Sequence, residues 1–170
     1  MDRQNPKNPG KVKDAAPSGT DWLGLAARVA VGLVLVVSGT MKSASPPEEF
    51  AMIIGYYNLS FVSPDFALSL AFFLPWFELL LGYALITGYF TRHASVAAAA
   101  LLACFCGALL SVKARGIELP NCGCFGVRGF HPSPTVTLCM DLCLLVAAYL
   151  AFTRGRTSPS LDNWAEGSYT

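Results

Sequence analysis

The chain has 170 residues, enough for one domain, with 54% hydrophobic residues, 14% charged residues and a net charge of +1. A soluble domain carries roughly 25% charged residues, so a soluble globular class is excluded, and the charge balance gives no basis for nucleic-acid binding. The apolar residues come in blocks of membrane-spanning length.

Residues 1–21 hold three prolines and two glycines without apolar periodicity, and read as a disordered tail. The apolar run that follows exceeds the roughly 7–15 residues of a signal core, so it reads as a retained helix. This first span covers 22–41. It contains Arg28, and Gly32 and Gly39 seven residues apart on nearly one helix face, where small residues allow close helix packing. Next, Ser45-Pro46-Pro47-Glu48 predicts a capping box with Ser45 as N-cap and Pro46 at the first helical position. Phe50, Ile53, Ile54 and Tyr57 then form one apolar stripe on a helix too short to span. It is placed on the outer interface, either as a lid near the cysteine loop described below or as a connector resting on lipid.

The second span, 66–90, contains Pro75, which predicts a kink, and Glu78 one turn later. The third, 94–112, is alanine-rich at 97–100, and the fourth, 135–152, contains Asp141. A second polar tail covers 154–170. The expected fold is an all-α membrane protein: a four-transmembrane-helix bundle over 22–153, with a short amphipathic interfacial helix between spans one and two.

With both termini on one face, that face holds Arg3, Lys7, Lys11, Lys13, Arg92, Arg154 and Arg156, and the other holds Lys42, Lys113, Arg115 and Arg128. The positive-inside rule then makes both tails cytoplasmic and places the third connection, with Cys122-Gly123-Cys124-Phe125-Gly126, on the oxidising side.

Six cysteines fall into three close pairs. For Cys122 and Cys124 three readings stand. A Cys-x-Cys disulfide closes a small, strained and reducible ring, which Gly123 eases, and Arg115 and Arg128 flank it; this is the exchange-active dithiol. The second is a soft-metal clamp with His131 as a third ligand, although it lacks the second Cys pair of a structural zinc site. The third is a structural disulfide. Within the spans, Cys106 lies about 10 Å below Lys113, while Cys139 and Cys143 lie about 6 and 12 Å below the start of span four. Cys106 and Cys143 are thus at similar depth, and with Cys139 are candidates for a second dithiol relay; otherwise they, like Cys104, are small apolar residues. Charges inside a span are costly and face the bundle interior. Glu78 has two readings, proton handling for thiol or quinone chemistry and a buried ion pair toward which Arg28 could reach, and Asp141 lies at the depth of Lys42 or the cysteines. His93, at the inner start of span three, reads as interfacial.

These residues resemble a known family. Arg28-x3-Gly32, Ser38-Gly39-x2-Lys42, Pro75-Trp76-x-Glu78-x3-Gly82, Gly88, Arg115-Gly116 and the Cys122–Gly126 element occur in the order of the methylamine utilisation protein MauE family, within the DoxX-like four-helix membrane proteins. The resemblance covers roughly 22–152. It implies a bacterial inner-membrane protein that helps form or maintain disulfides in an exported redox enzyme, methylamine dehydrogenase in the namesake system, together with a periplasmic thioredoxin-like partner. Under it, Cys122 and Cys124 exchange disulfides, and Lys42, Glu78, Asp141 and Arg28 support them inside the bundle. Quinone is the candidate cofactor, by analogy with other four-helix disulfide-handling proteins. The competing expectation is a non-catalytic assembly scaffold rather than a thiol–disulfide oxidoreductase.

Overall fold

The computed structural model describes residues 19–58, 62–117, 123–124 and 133–154, with side chains from Trp22 onward. Cys122, Arg128, His131 and most of both tails lie outside the described residues. The described chain is all-helical: α1 (Gly19–Ser43), α2 (Pro47–Tyr56), α3 (Pro64–Thr87), α4 (Thr91–Ala114) and α5 (Pro134–Arg154). Four of these, all but the 10-residue α2, are long and apolar enough to cross a membrane.

Each long helix buries one narrow stripe. In α1 it is Ala27, Arg28, Val31, Leu35, Ser38 and Lys42; in α3, Ala67, Ala71, Pro75, Glu78, Leu81 and Leu85. The spacing of three and four keeps these residues on one face. Large side chains point outward instead, among them Phe72, Phe73, Trp76, Leu80 and Tyr149. Small residues inside and large apolar ones outside is the pattern of a bundle solvated by lipid, where close backbone approach drives helix association.

The α1–α3 contact shows this most directly. A Cβ on Gly32 would lie 2.9 Å from the Gly82 carbonyl oxygen, and a Cβ on Gly39 would lie 2.7 Å from that of Pro75. The helices run antiparallel, with Gly39 level with Pro75 and Glu78, and Gly32 level with Gly82 and Ile86. The N-terminal part of α3 lies beyond this contact. There α2 covers it, with Phe50, Ile53 and Ile54 packed on Ala67 and Ala71. The stripe read from sequence is therefore the buried face of α2, and it lies on α3.

Two boundaries differ from the sequence reading. Helix α2 starts at Pro47, with Pro46 as its N-cap and no side-chain capping bond; the Ser45 hydroxyl is buried and makes no hydrogen bond, so the capping box does not form. Pro46 holds ψ at 137°, the extended value favoured for a residue preceding proline. Helix α3 stops at Thr87, short of residue 90, because Gly88 takes the left-handed conformation (φ 75°) and its N–H caps the Ala84 carbonyl. Pro75 lies inside an unbroken α3.

Candidate functional site

Lys42, at the C-terminal end of α1, points back into the bundle. Its Nζ lies 2.5 Å from Glu78 Oε1, and both side chains are fully buried. It also donates to Ser38 Oγ, one turn earlier, at 2.9 Å. The rings of Phe50 on α2 and Phe105 on α4 flank the ammonium, with centroids at 5.4 and 4.9 Å. Two aromatic faces thus add cation–π attraction to the ion pair in a dry setting. Ser38 Oγ lies 2.9 Å from Glu78 Oε2 and 2.6 Å from the Cys124 carbonyl oxygen. One hydroxyl therefore joins the buried ion pair to the main chain of the cysteine loop.

The loop is held from above as well. Gly123 has φ +73°, and a Cβ there would meet Ile53 Cγ2 at 2.8 Å and Phe50 Cε2 at 3.2 Å. The short helix α2 thus lies against the Gly123 backbone, the lid placement among the two sequence expectations. Arg115 fixes the far end of that lid: Nη1 and Nη2 donate to the carbonyls of Asn58 and Tyr57 at 2.7 and 2.5 Å, and Nε donates to the Ser111 carbonyl at 3.1 Å. These bonds tie the end of α4 to the end of α2, a tethering role that sequence reading did not assign to Arg115.

Two spaces adjoin Cys124. A small one of about 20 Å³ is bounded by Ser38, Cys124, Thr137, Asp141, Leu102 and Phe105, among others. That is room for about one water molecule. The larger, about 570 Å³, is a groove between α2, α3 and α4 whose wall includes Phe50, Tyr57, Leu70, Leu74, Cys104, Phe105, Ala108, Ser111, Gly123 and Cys124. Its lining is apolar apart from two hydroxyls and two thiols, and its size falls within the roughly 300–1,000 Å³ of small-molecule sites.

A family model described as methylamine utilisation protein MauE matches residues 20–154. The chain belongs to that family. No curated protein and no solved structure matches it. With four helices of spanning length, this MauE-family chain is a multi-pass membrane protein.

Of the residues singled out in the sequence, Lys42, Glu78, Cys124 and Asp141 are brought together at the end of the bundle where α1 finishes. Arg28 is not among them. It is buried on the α1 stripe ten residues before Ser38, about 15 Å along the helix and level with the end of α3. The partner of Glu78 is Lys42, and the reason is register: Gly39 lies against Pro75 and Glu78, and Gly32 against Gly82, so Glu78 sits opposite the C-terminal end of α1 rather than its middle. Lys42 is accordingly a bundle residue and not an exposed loop charge. Cys106 is a buried free thiol within electrostatic range of Asp141, whereas Cys139 and Cys143 are exposed free thiols on an outer groove with Thr135 and Met140. Cys104, also free, lines the groove that reaches Cys124.

Sequence reasoning left three members of the site without a role. Ser38 sits one turn before Lys42, a spacing that puts both on one face. Phe50 and Phe105 gave no signal beyond their apolar positions.

Proposed function

We propose that this MauE-family protein is a thiol–disulfide oxidoreductase of the bacterial inner membrane, with both termini cytoplasmic and Cys122 and Cys124 as its exchanging pair on the periplasmic side. It serves a periplasmic thioredoxin-like partner and, through it, an exported redox enzyme. The observation that carries this reading is the anchoring of Cys124. A buried Lys–Glu–Ser network is an expensive thing to build in a membrane protein, and here it ends on the backbone of a Cys-Gly-Cys loop. Counting Lys42 as a bundle residue leaves seven basic residues against three, which strengthens the proposed orientation.

Exchange proceeds through a mixed disulfide. A partner thiolate attacks the Cys122–Cys124 disulfide, forming one S–S bond between partner and loop and releasing one loop thiolate. The partner's second thiolate displaces the other loop sulfur, so the partner leaves as a disulfide and the loop as a dithiol. A quinone, when bound, accepts the two electrons and two protons that return such a dithiol to a disulfide. The groove fits a prenylated ring: apolar walls from Leu70, Leu74 and Ala108 suit the chain, and Tyr57 and Ser111 offer hydroxyls to ring oxygens.

Single Cys122→Ser and Cys124→Ser variants, expressed in native membranes, should accumulate mixed disulfides with a soluble periplasmic protein. Failure of both to trap a partner, with a double variant that still supports its client, would reject the exchange reading and leave the scaffold.

A further inference from the structure

Ser38 is where the ion pair meets the cysteine loop, and its hydrogen atoms can be counted. A serine hydroxyl has one proton and two acceptor sites. Lys42 Nζ is a donor only and fills one acceptor site at 2.9 Å. The Cys124 carbonyl is an acceptor only, so the 2.6 Å contact requires the Ser38 proton. The 2.9 Å contact to Glu78 Oε2 is then a hydrogen bond only when Glu78 itself brings a proton, donated to Ser38. A Glu78 carboxylate would instead compete for the single Ser38 proton, and it would win, because a charge-assisted bond is about twice as strong as a neutral one.

We propose that Ser38 is a positioning residue that couples docking of the Cys124 main chain to one proton held by the Lys42–Glu78 pair. With the proton on Glu78 Oε2, Ser38 donates to the Cys124 carbonyl and the loop is docked. When that O–H bond breaks and the proton leaves, Ser38 turns to Glu78 and the carbonyl is released.

The surroundings leave this pair as the group in command. From α1 the facing charge is Lys42. From α4 the neighbour is the Phe105 ring, and from α5 Asp141 lines the water-sized space that also touches Ser38 and Cys124. On α2 the residue turned toward Lys42 is Phe50, while Glu48 is exposed and Glu49 half-buried. Thiol–disulfide interconversion takes up or releases protons, so a docking contact that reads one would time loop release with the redox step; that clause rests on the proposed function, whereas the coupling does not.

Hydrogen exchange of peptides spanning Cys124, in the full-length protein in lipid nanodiscs and corrected for intrinsic pH dependence, tests the coupling without any redox partner. Protection in the wild type should fall with rising pH, by at most about tenfold per pH unit for one linked proton. Glu78→Gln supplies hydrogens that titration cannot remove, so protection should be high and flat. Ser38→Ala should be less protected than the wild type and flat with pH, and Ser38→Thr, which keeps the hydroxyl, should restore the wild-type profile. A wild-type profile in Ser38→Ala, or a flat one in the wild type, overturns the proposal. If Glu78→Gln does not fold, Asp141→Asn decides: it should keep the wild-type pH dependence, and a flat profile there would overturn the assignment of the proton to the Lys42–Glu78 pair.

Discussion

Lys42 and Glu78 form an ion pair between α1 and α3 with neither side chain reaching the surface. Removing one member leaves a buried polar group without its partner, which costs about 1–3 kcal/mol and more where that group is charged, while replacing both with apolar residues is much milder. Lys42→Met should therefore lower the unfolding midpoint strongly, and Lys42→Met with Glu78→Leu should recover most of that loss while still lacking client support. Denaturation curves in mixed micelles check this. A double variant as unstable as the single one would mean that the pair is not the dominant α1–α3 polar contact.

The glycines of the same interface predict a graded series. A Cβ at Gly82 would lie 2.8 Å from the Gly32 carbonyl oxygen and 2.7 Å from Val36 Cγ2, whereas a Cβ at Gly107 meets nothing within 4 Å. Gly82→Ala should force the helices apart at a cost of about 1–3 kcal/mol. Gly107→Ala should be neutral or stabilising by up to about 1 kcal/mol, from helix propensity. The same denaturation assay separates the two.

At Gly123 two costs coincide, the left-handed backbone and the contact with Ile53. Gly123→Ala should weaken loop docking by about 1–2 kcal/mol from the backbone alone, plus the clash. Adding Ile53→Ala should remove only the second part. Partner trapping through the loop cysteines, measured for both variants, should therefore recover partially; full recovery would mean that the backbone conformation carries no cost.

The groove makes a separate prediction. A photoreactive short-chain quinone should label peptides carrying Tyr57 or Ser111, and Ala108→Trp should cut that labelling at least fivefold while leaving helical content unchanged. Labelling concentrated instead beside Cys139 and Cys143 would move the ligand to the α5 surface.

Much of the architecture could be read from the one-dimensional pattern, because a membrane demands long apolar blocks and the short stripe from Phe50 to Tyr57 is unmistakably amphipathic. What escaped was the sliding of one helix along another. Depth arithmetic measures distance along each helix from an assumed surface, and it cannot know that α2 lies over Ala67 and Ala71. Nor can it know that Gly39 meets Pro75 and Gly32 meets Gly82, the register that brings Glu78 to Lys42 and leaves Arg28 away from it. The helix starts failed for a different reason: at Ser45-Pro46-Pro47 the two prolines restrict backbone dihedrals more strongly than a serine hydroxyl can choose a cap. Ser38 stood in the family pattern without a role because a serine in an apolar helix ordinarily bonds its own backbone, and only the fold brings a carboxylate and a distant carbonyl to it.

The network grips residue 124 by its carbonyl oxygen and not by its sulfur. The grip is accordingly blind to what the sulfur is bonded to. Thiol, mixed disulfide and even a serine hydroxyl would all present the same main-chain acceptor to Ser38. A Cys124→Ser variant should thus keep its seat in the bundle and lose only its chemistry, which makes it a faithful silent copy of the native loop.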